Sequence, residues 1–185
     1  MQVTLAKSAG FCFGVKRAVD QVYQEAEHSR MPVYTFGPII HNEEVVKDLE
    51  YKGVRVIEDE QALHEIRTGT VVIRSHGVSK RICEEIETCG LECVDATCPF
   101  VKRIHNIVEK ESTAGKQVVI IGNAGHPEVD GIMGWCKTPA VVIGSPEEAE
   151  KFACEAGKEL CVVSQTTFNY NKFQDVVEIF MKKGY

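Results

Sequence analysis

The chain has no surplus of positive charge: 21 Lys and Arg stand against 27 Asp and Glu, a formal net charge of −6 with a pI near 5.6. A nucleic-acid surface leaves a basic footprint, so a polyanion is not the expected partner. No apolar run approaches the ~20 residues needed to span a bilayer, and the opening MQVTLAKSAG lacks the apolar centre of a signal peptide. These two absences predict a cytoplasmic chain with no membrane association. There is no low-complexity segment, and no Gly-rich dinucleotide fingerprint, which argues against a bound nicotinamide. Nor is there any Cys-x-x-Cys pair among the eight cysteines, so a closed tetrahedral metal site has no obvious donor set. What remains is a chain of 185 residues, 44% hydrophobic and 26% charged, long enough for one large or two small domains.

Short β-branched runs alternate with helical stretches. Strands are expected at VYTF (33–36), VRVI (54–57), TVVIRS (70–75), ECVDA (92–96), QVVIIG (117–122), AVVIG (140–144) and LCVVSQ (160–165). Continuous apolar strands joined by crossover helices predict parallel sheets covered on both faces, an α/β fold of small three-layer units.

An internal repeat organises the pattern. Cys12, Val15, Lys16 and Arg17 match Cys98, Val101, Lys102 and Arg103 as Cys-x-x-Val-Lys-Arg, at an offset of 98 − 12 = 86. GPIIHNE (37–43) matches GNAGHPE (122–128), pairing His41 with His126 and Glu43 with Glu128. VIRSHG (72–77) is matched with VVSQTT (162–167) as a third correspondence, with His76 expected to face Gln165. The expected division is a leading strand at 1–12 that belongs with a missing third unit, a first unit at 13–97 and a second at 98–185. Gly90 and Gly184 close the two units, and a further unit would begin just past Tyr185, so the sequence reads as lacking a third.

Each repeated cysteine precedes a helix start, where the dipole favours a thiolate, the form that binds iron or zinc. The bland alternative is a buried small hydrophobe; Cys83, Cys89, Cys93, Cys136, Cys154 and Cys161 are read as core or surface thiols. His28, His64 and His105 lie in helical stretches among charged neighbours and are expected in solvent. His41, His76 and His126 each follow a strand end, where parallel sheets bind ligands, and three of them suggest one anionic site. Glu128, beside His126, suits proton delivery, whereas Glu43 reads as a first-turn helix residue.

Together GFCFGVKRAV, FGPIIHNEEVV, RSHGVS, DATCPFVKRIH, NAGHPEVDGIMGW and VSQTT resemble the 4-hydroxy-3-methylbut-2-enyl diphosphate reductase family of the non-mevalonate isoprenoid pathway. The resemblance implies three α/β units about a pseudo-three-fold axis with a 4Fe-4S cluster at the centre. It makes Cys12 and Cys98 two of three cluster ligands, the third cysteine being absent from this chain. It makes His41, His76 and His126 the diphosphate clamp, Glu128 the proton donor, and Thr166 the hydroxyl that relays or orients the proton, flanked by Gln165 and Thr167 as further substrate contacts. The implied reaction is a reductive dehydroxylation giving isopentenyl and dimethylallyl diphosphates, with electrons from a ferredoxin or flavodoxin. The competing readings are a non-redox module for a small diphosphate ligand and a structural zinc protein using Cys12 and Cys98.

Overall fold

Helices and strands alternate along the whole length of the computed structural model, which describes residues 2–185. The order is α1 (Phe13–His28), β1 (Val33–Phe36), α2 (Glu43–Tyr51), β2 (Arg55–Ile57), α3 (Glu60–Glu65), β3 (Thr70–Ile73), α4 (Lys80–Thr88) and β4 (Glu92–Asp95). It continues with α5 (Pro99–Thr113), β5 (Gln117–Ile121), α6 (Pro127–Met133), β6 (Val141–Ile143), α7 (Pro146–Lys151), β7 (Leu160–Ser164) and α8 (Tyr170–Lys182). All seven expected strands form, each trimmed by up to two residues.

Every strand pairing is parallel. The first sheet runs β2-β1-β3-β4 and the second β6-β5-β7. The three strands of the second sheet therefore repeat the order of three in the first, with β5 and β1 each between their neighbours. The central strands carry the load: Val71, Val72, Val118, Val119, Ile120 and Ile121 are fully buried, each contributing about 1.5–3 kcal/mol. Only a strand covered on both faces can bury five successive residues, as β5 does.

By contact the described residues form two compact units, one running to Ser75 and including Leu91–Cys98, the other His76–Gly90 with Pro99–Tyr185. Helix α4, which the repeat places with the first half, thus groups with the second, and Cys98 groups with the first. In the first unit Ala18, Val19 and Val22 of α1 pack with Val33, Ile39, Leu49, Val54 and Val72. In the second, one face of the sheet packs Val118, Ile120 and Val163 with Val108, Val129 and Ile132. Its other face packs Val119, Ile121 and Ile143 with Ala149, Val176 and Phe180.

One expectation is corrected, and another concerns a strand whose expected partner is a third unit. Residues 2–12 pair with no strand among the described residues, and Val3 and Leu5 stand in solvent. A strand needs a neighbour's backbone groups, and the expectation assigns that neighbour to the third unit. The sheet register also replaces one match in the repeat. Phe36 lies opposite Ile73 and Ile121 opposite Ser164. Since Gly37 corresponds to Gly122, Phe36 corresponds to Ile121 and Ile73 to Ser164. The counterpart of Gln165 is therefore Arg74, not His76, and a Cβ placed on Gly37 or Gly122 would meet Arg74 or Gln165 respectively. The matched glycines Gly90 and Gly184 both end helices with left-handed φ of 73° and 78°, a conformation glycine adopts without a steric cost.

Candidate active site

The two repeated cysteines both fall in the first unit. Cys12 is the residue before α1 and caps it through its backbone: the Lys16 N–H donates to the Cys12 carbonyl at 2.9 Å, while the thiol makes no capping bond and is exposed. Neither α1 nor α5 has an acidic residue in its first turn, so no carboxylate competes for the positive end of either dipole. Cys98 immediately precedes Pro99 and is half-buried. Its backbone is held on both sides. The Cys98 N–H donates to the Ser75 carbonyl at 2.9 Å, and the Thr97 carbonyl accepts from Arg17 Nη1 at 3.0 Å. Arg17, noticed in the repeat but given no task there, thus ties α1 to the peptide before Cys98.

His41 in the same unit stands just before Asn42, the N-cap of α2, whose Oδ1 accepts from the Val45 N–H at 3.1 Å. His41 is exposed and borders an open cleft of about 490 Å3 with Pro38, Ile40 and Asn42. Glu43 behaves as the first-turn residue expected of it, exposed and 3.8 Å from Lys47.

The second unit contains His76, His126, Glu128, Gln165, Thr166 and Thr167. The His76 and His126 rings meet edge to face, 5.7 Å between centroids. His126 is itself the N-cap of α6, its Nδ1 accepting from the Glu128 N–H at 3.1 Å. An imidazole that accepts through Nδ1 carries its proton on Nε2, so the outer nitrogen is a donor. Glu128 is 1% exposed. Its two carboxyl oxygens are taken by one residue: the Thr166 N–H donates to Oε1 at 2.6 Å and the Thr166 hydroxyl to Oε2 at 2.8 Å. Thr166 is exposed, so it stands between a buried carboxylate and the outside. Gln165 is buried and spans two loops, accepting from the Asn123 N–H at 3.0 Å and donating to Thr167 Oγ1 at 2.9 Å. Repeat-matched Glu43 and Glu128 therefore have opposite fates, one in solvent and one held in the interior.

His28 and His64 are exposed as expected, but His105 is 3% exposed and stacked on Trp135, 5.1 Å between centroids. Val101, His105, Val108 and Ser112 are the buried stripe of α5, spaced by four, three and four, so the imidazole takes a core position despite its charged neighbours. Trp135 in turn donates from Nε1 to the Val78 carbonyl at 2.9 Å, bracing the loop that follows His76. Sequence reading passed over Trp135, although it closes the NAGHPEVDGIMGW stretch. Burial pushes the Cys136 thiol up to about 11 and raises that of Cys161 as well, so both are protonated core thiols at neutral pH. Among the described residues no three His, Cys, Asp or Glu side chains are grouped to hold a metal ion. No helix among them is long and apolar enough to cross a membrane.

Parallel sheets with polar side chains gathered at the carboxyl ends of their strands, and a buried carboxylate behind a hydroxyl, define an α/β protein with an enzyme-like site. Residues 3–185 match the family model described as LytB protein. The chain belongs to the LytB family. It is 46% identical over 185 residues to a 4-hydroxy-3-methylbut-2-enyl diphosphate reductase of Caldanaerobacter subterraneus subsp. tengcongensis, covering all of this chain and 64% of that protein. It is 45% identical over 184 residues to the reductase of that name from Geobacter metallireducens, covering 63% of it. Among solved structures, that of (E)-4-hydroxy-3-methyl-but-2-enyl diphosphate reductase, described as the terminal enzyme of the non-mevalonate pathway, superposes with a TM-score of 0.80 at 39% identity, covering 97% of this chain and 63% of that one. The E-1-hydroxy-2-methyl-but-2-enyl-4-diphosphate reductase of Plasmodium falciparum gives a TM-score of 0.88 at 28% identity, covering 96% and 55%. The chain thus spans somewhat less than two thirds of the length of these relatives.

Proposed function

We propose that this chain is the greater part of a reductase that removes the hydroxyl of 4-hydroxy-3-methylbut-2-enyl diphosphate. Two electrons and two protons replace the C–O bond by C–H and release water, giving isopentenyl and dimethylallyl diphosphates. The observation that carries this reading is the pairing of buried Glu128 with exposed Thr166, beside the two histidines of the same unit. Identity of 45–46% with relatives that bear the reductase name supports it.

His126 and His76, with His41 from the first unit, bind the diphosphate. For His126 the capping bond through Nδ1 leaves Nε2–H to donate to a phosphate oxygen. Glu128 is the proton source. Buried as it is, its proton leaves through Thr166: the carboxylic acid donates to Oγ1, and the hydroxyl passes its own proton outward. Thr167 contacts the substrate, and Gln165, its amide taken by Asn123 and Thr167, keeps that threonine in place.

The resident cofactor is a 4Fe-4S cluster. The donors fit it in part: Cys12 and Cys98 supply two thiols at helix starts without first-turn carboxylates, and the packing beside Cys98 leaves no room for a Cβ on Gly14. They are two of the three ligands this reading requires. When bound, such a cluster supplies the electrons and an open Lewis-acidic iron, and a ferredoxin or flavodoxin is the expected donor. Glu128→Gln in the whole protein tests the assignment. Turnover should be lost while diphosphate affinity stays within a few-fold, because a proton donor acts in the transition state. An affinity that fell as steeply as turnover would make Glu128 a binding residue and favour a non-redox module.

A further inference from the structure

Glycine is among the poorest helix formers, yet Gly14 occupies the first turn of α1. Its backbone does not require it, because Gly14 is absent from the glycines with positive φ. Nor does the helical position: in the repeat the matching residue of α5 is Phe100, which is 66% exposed. The reason lies across the unit. A Cβ built on Gly14 falls 2.4 Å from Cys98 Sγ, 3.0 Å from Cys98 Cβ and 3.8 Å from its Cα. Rotating the thiol away would relieve only the first of these. The backbone of Cys98 cannot retreat cheaply either, since Ser75 holds its N–H and Arg17 holds the preceding carbonyl.

We infer that Gly14 is a positioning residue for Cys98: the missing side chain is the space in which the Cys98 thiol lies against the first turn of α1. Bare helix surface there lets Cys98 pack against the first turn of the helix that Cys12 caps. The assignment to a cluster ligand rests on the proposed function, whereas the steric relation does not. Arg17 belongs to the same device, because it sets the distance between α1 and the Thr97–Cys98 peptide.

The test uses the whole protein without iron, alkylated with iodoacetamide and followed residue by residue by peptide mass spectrometry. Gly14→Ala should change the Cys98 rate by about fivefold or more while Cys12 stays within about twofold, as thiol reactivity follows exposure and local field. It should also lower the melting temperature, although Gly to Ala in an open helix position raises it. Should that variant fail to fold, the pair Cys98→Gly and Gly14→Ala/Cys98→Gly decides. With the Cys98 side chain gone, the added methyl should raise the melting temperature. After anaerobic reconstitution, Gly14→Ala should take up several-fold less iron and sulfide than the unsubstituted protein. The inference is overturned if Gly14→Ala melts higher in the native background with Cys98 alkylation unchanged, or if it takes up iron and sulfide in full. An unsubstituted protein that takes up neither overturns the cluster reading alone, and the alkylation and melting results still decide Gly14.

Discussion

Replacing Thr166 by Val deletes one hydroxyl at nearly constant volume and leaves the backbone N–H in place. The buried Glu128 carboxylate then keeps its 2.6 Å bond from the Thr166 N–H and loses its 2.8 Å bond from Oγ1. An acceptor left unpaired in the interior costs about 1–3 kcal/mol, and with Glu128 buried little water can replace the lost bond. For a chain of this size each kcal/mol lowers the melting temperature by about 2–4 °C, so Thr166→Val should cost about 2–12 °C. Glu128→Gln should behave differently. The amide oxygen can accept from the Thr166 N–H, and the amide N–H can donate to Oγ1, so both contacts survive with one reversed. Its stability should stay within about 1 kcal/mol of the parent. Thermal melts and urea titrations of the whole protein, run side by side, measure both. A Thr166→Val variant as stable as the parent, with Glu128→Gln losing more than about 3 kcal/mol, would refute the reasoning. It would mean that the carboxylate is held by its charge and not by this hydroxyl.

Three further outcomes are expected. His126→Asn retains a good N-cap and removes the outward N–H, so stability should hold while diphosphate affinity falls by about 1.5–3 kcal/mol; isothermal titration and a melt separate the two. Lys183 Nζ reaches the carbonyls of Ala149, Glu150 and Phe152 at the end of α7, at 3.1, 2.6 and 2.6 Å. Lys183→Met should therefore destabilise by about 1–3 kcal/mol and speed amide exchange in α7 ahead of β5. Because burial raises the Cys136 thiol from 9.0 to about 11, the folded state holds this proton more tightly than the unfolded chain. Its contribution is complete below about pH 9 and is lost as pH rises toward 11, so Cys136→Ala should flatten the fall of the melting temperature across that window.

How much of this was readable beforehand depended on whether the controlling contacts are local. The strands were legible because a doubly covered parallel strand leaves a continuous apolar run such as Val118–Ile121. The candidate site residues stood out because the repeat preserves polar residues at strand ends, where composition alone would expect only turns. His105 was misplaced because Lys102, Arg103, Glu109 and Lys110 give the segment a charged look, while the stripe it belongs to runs through Val101, Val108 and Ser112. The match of His76 with Gln165 failed for a different reason. Short apolar runs align equally well in several frames, and only pairing with β1 and β5 fixes the register. Gly14 was illegible because its cause, Cys98, is eighty-four positions away in the chain.

The capping of α2 and α6 bears on how the two repeats can change over time. In the first copy the cap is Asn42, next to His41; in the second Pro127 occupies the matching place and the cap passes back to His126. A drifting sequence meets two unlike filters at these matched positions. Substitutions at 41 are screened by what the exposed imidazole does, since the helix start is secured by its neighbour. Substitutions at 126 are screened twice, once by folding, which admits Asn, Asp, Ser or Thr, and once by ligand chemistry, which admits few of them. The repeat thus holds one histidine whose variants can be interpreted directly and one whose variants must keep the cap, as Asn does, before their effect on the ligand can be read.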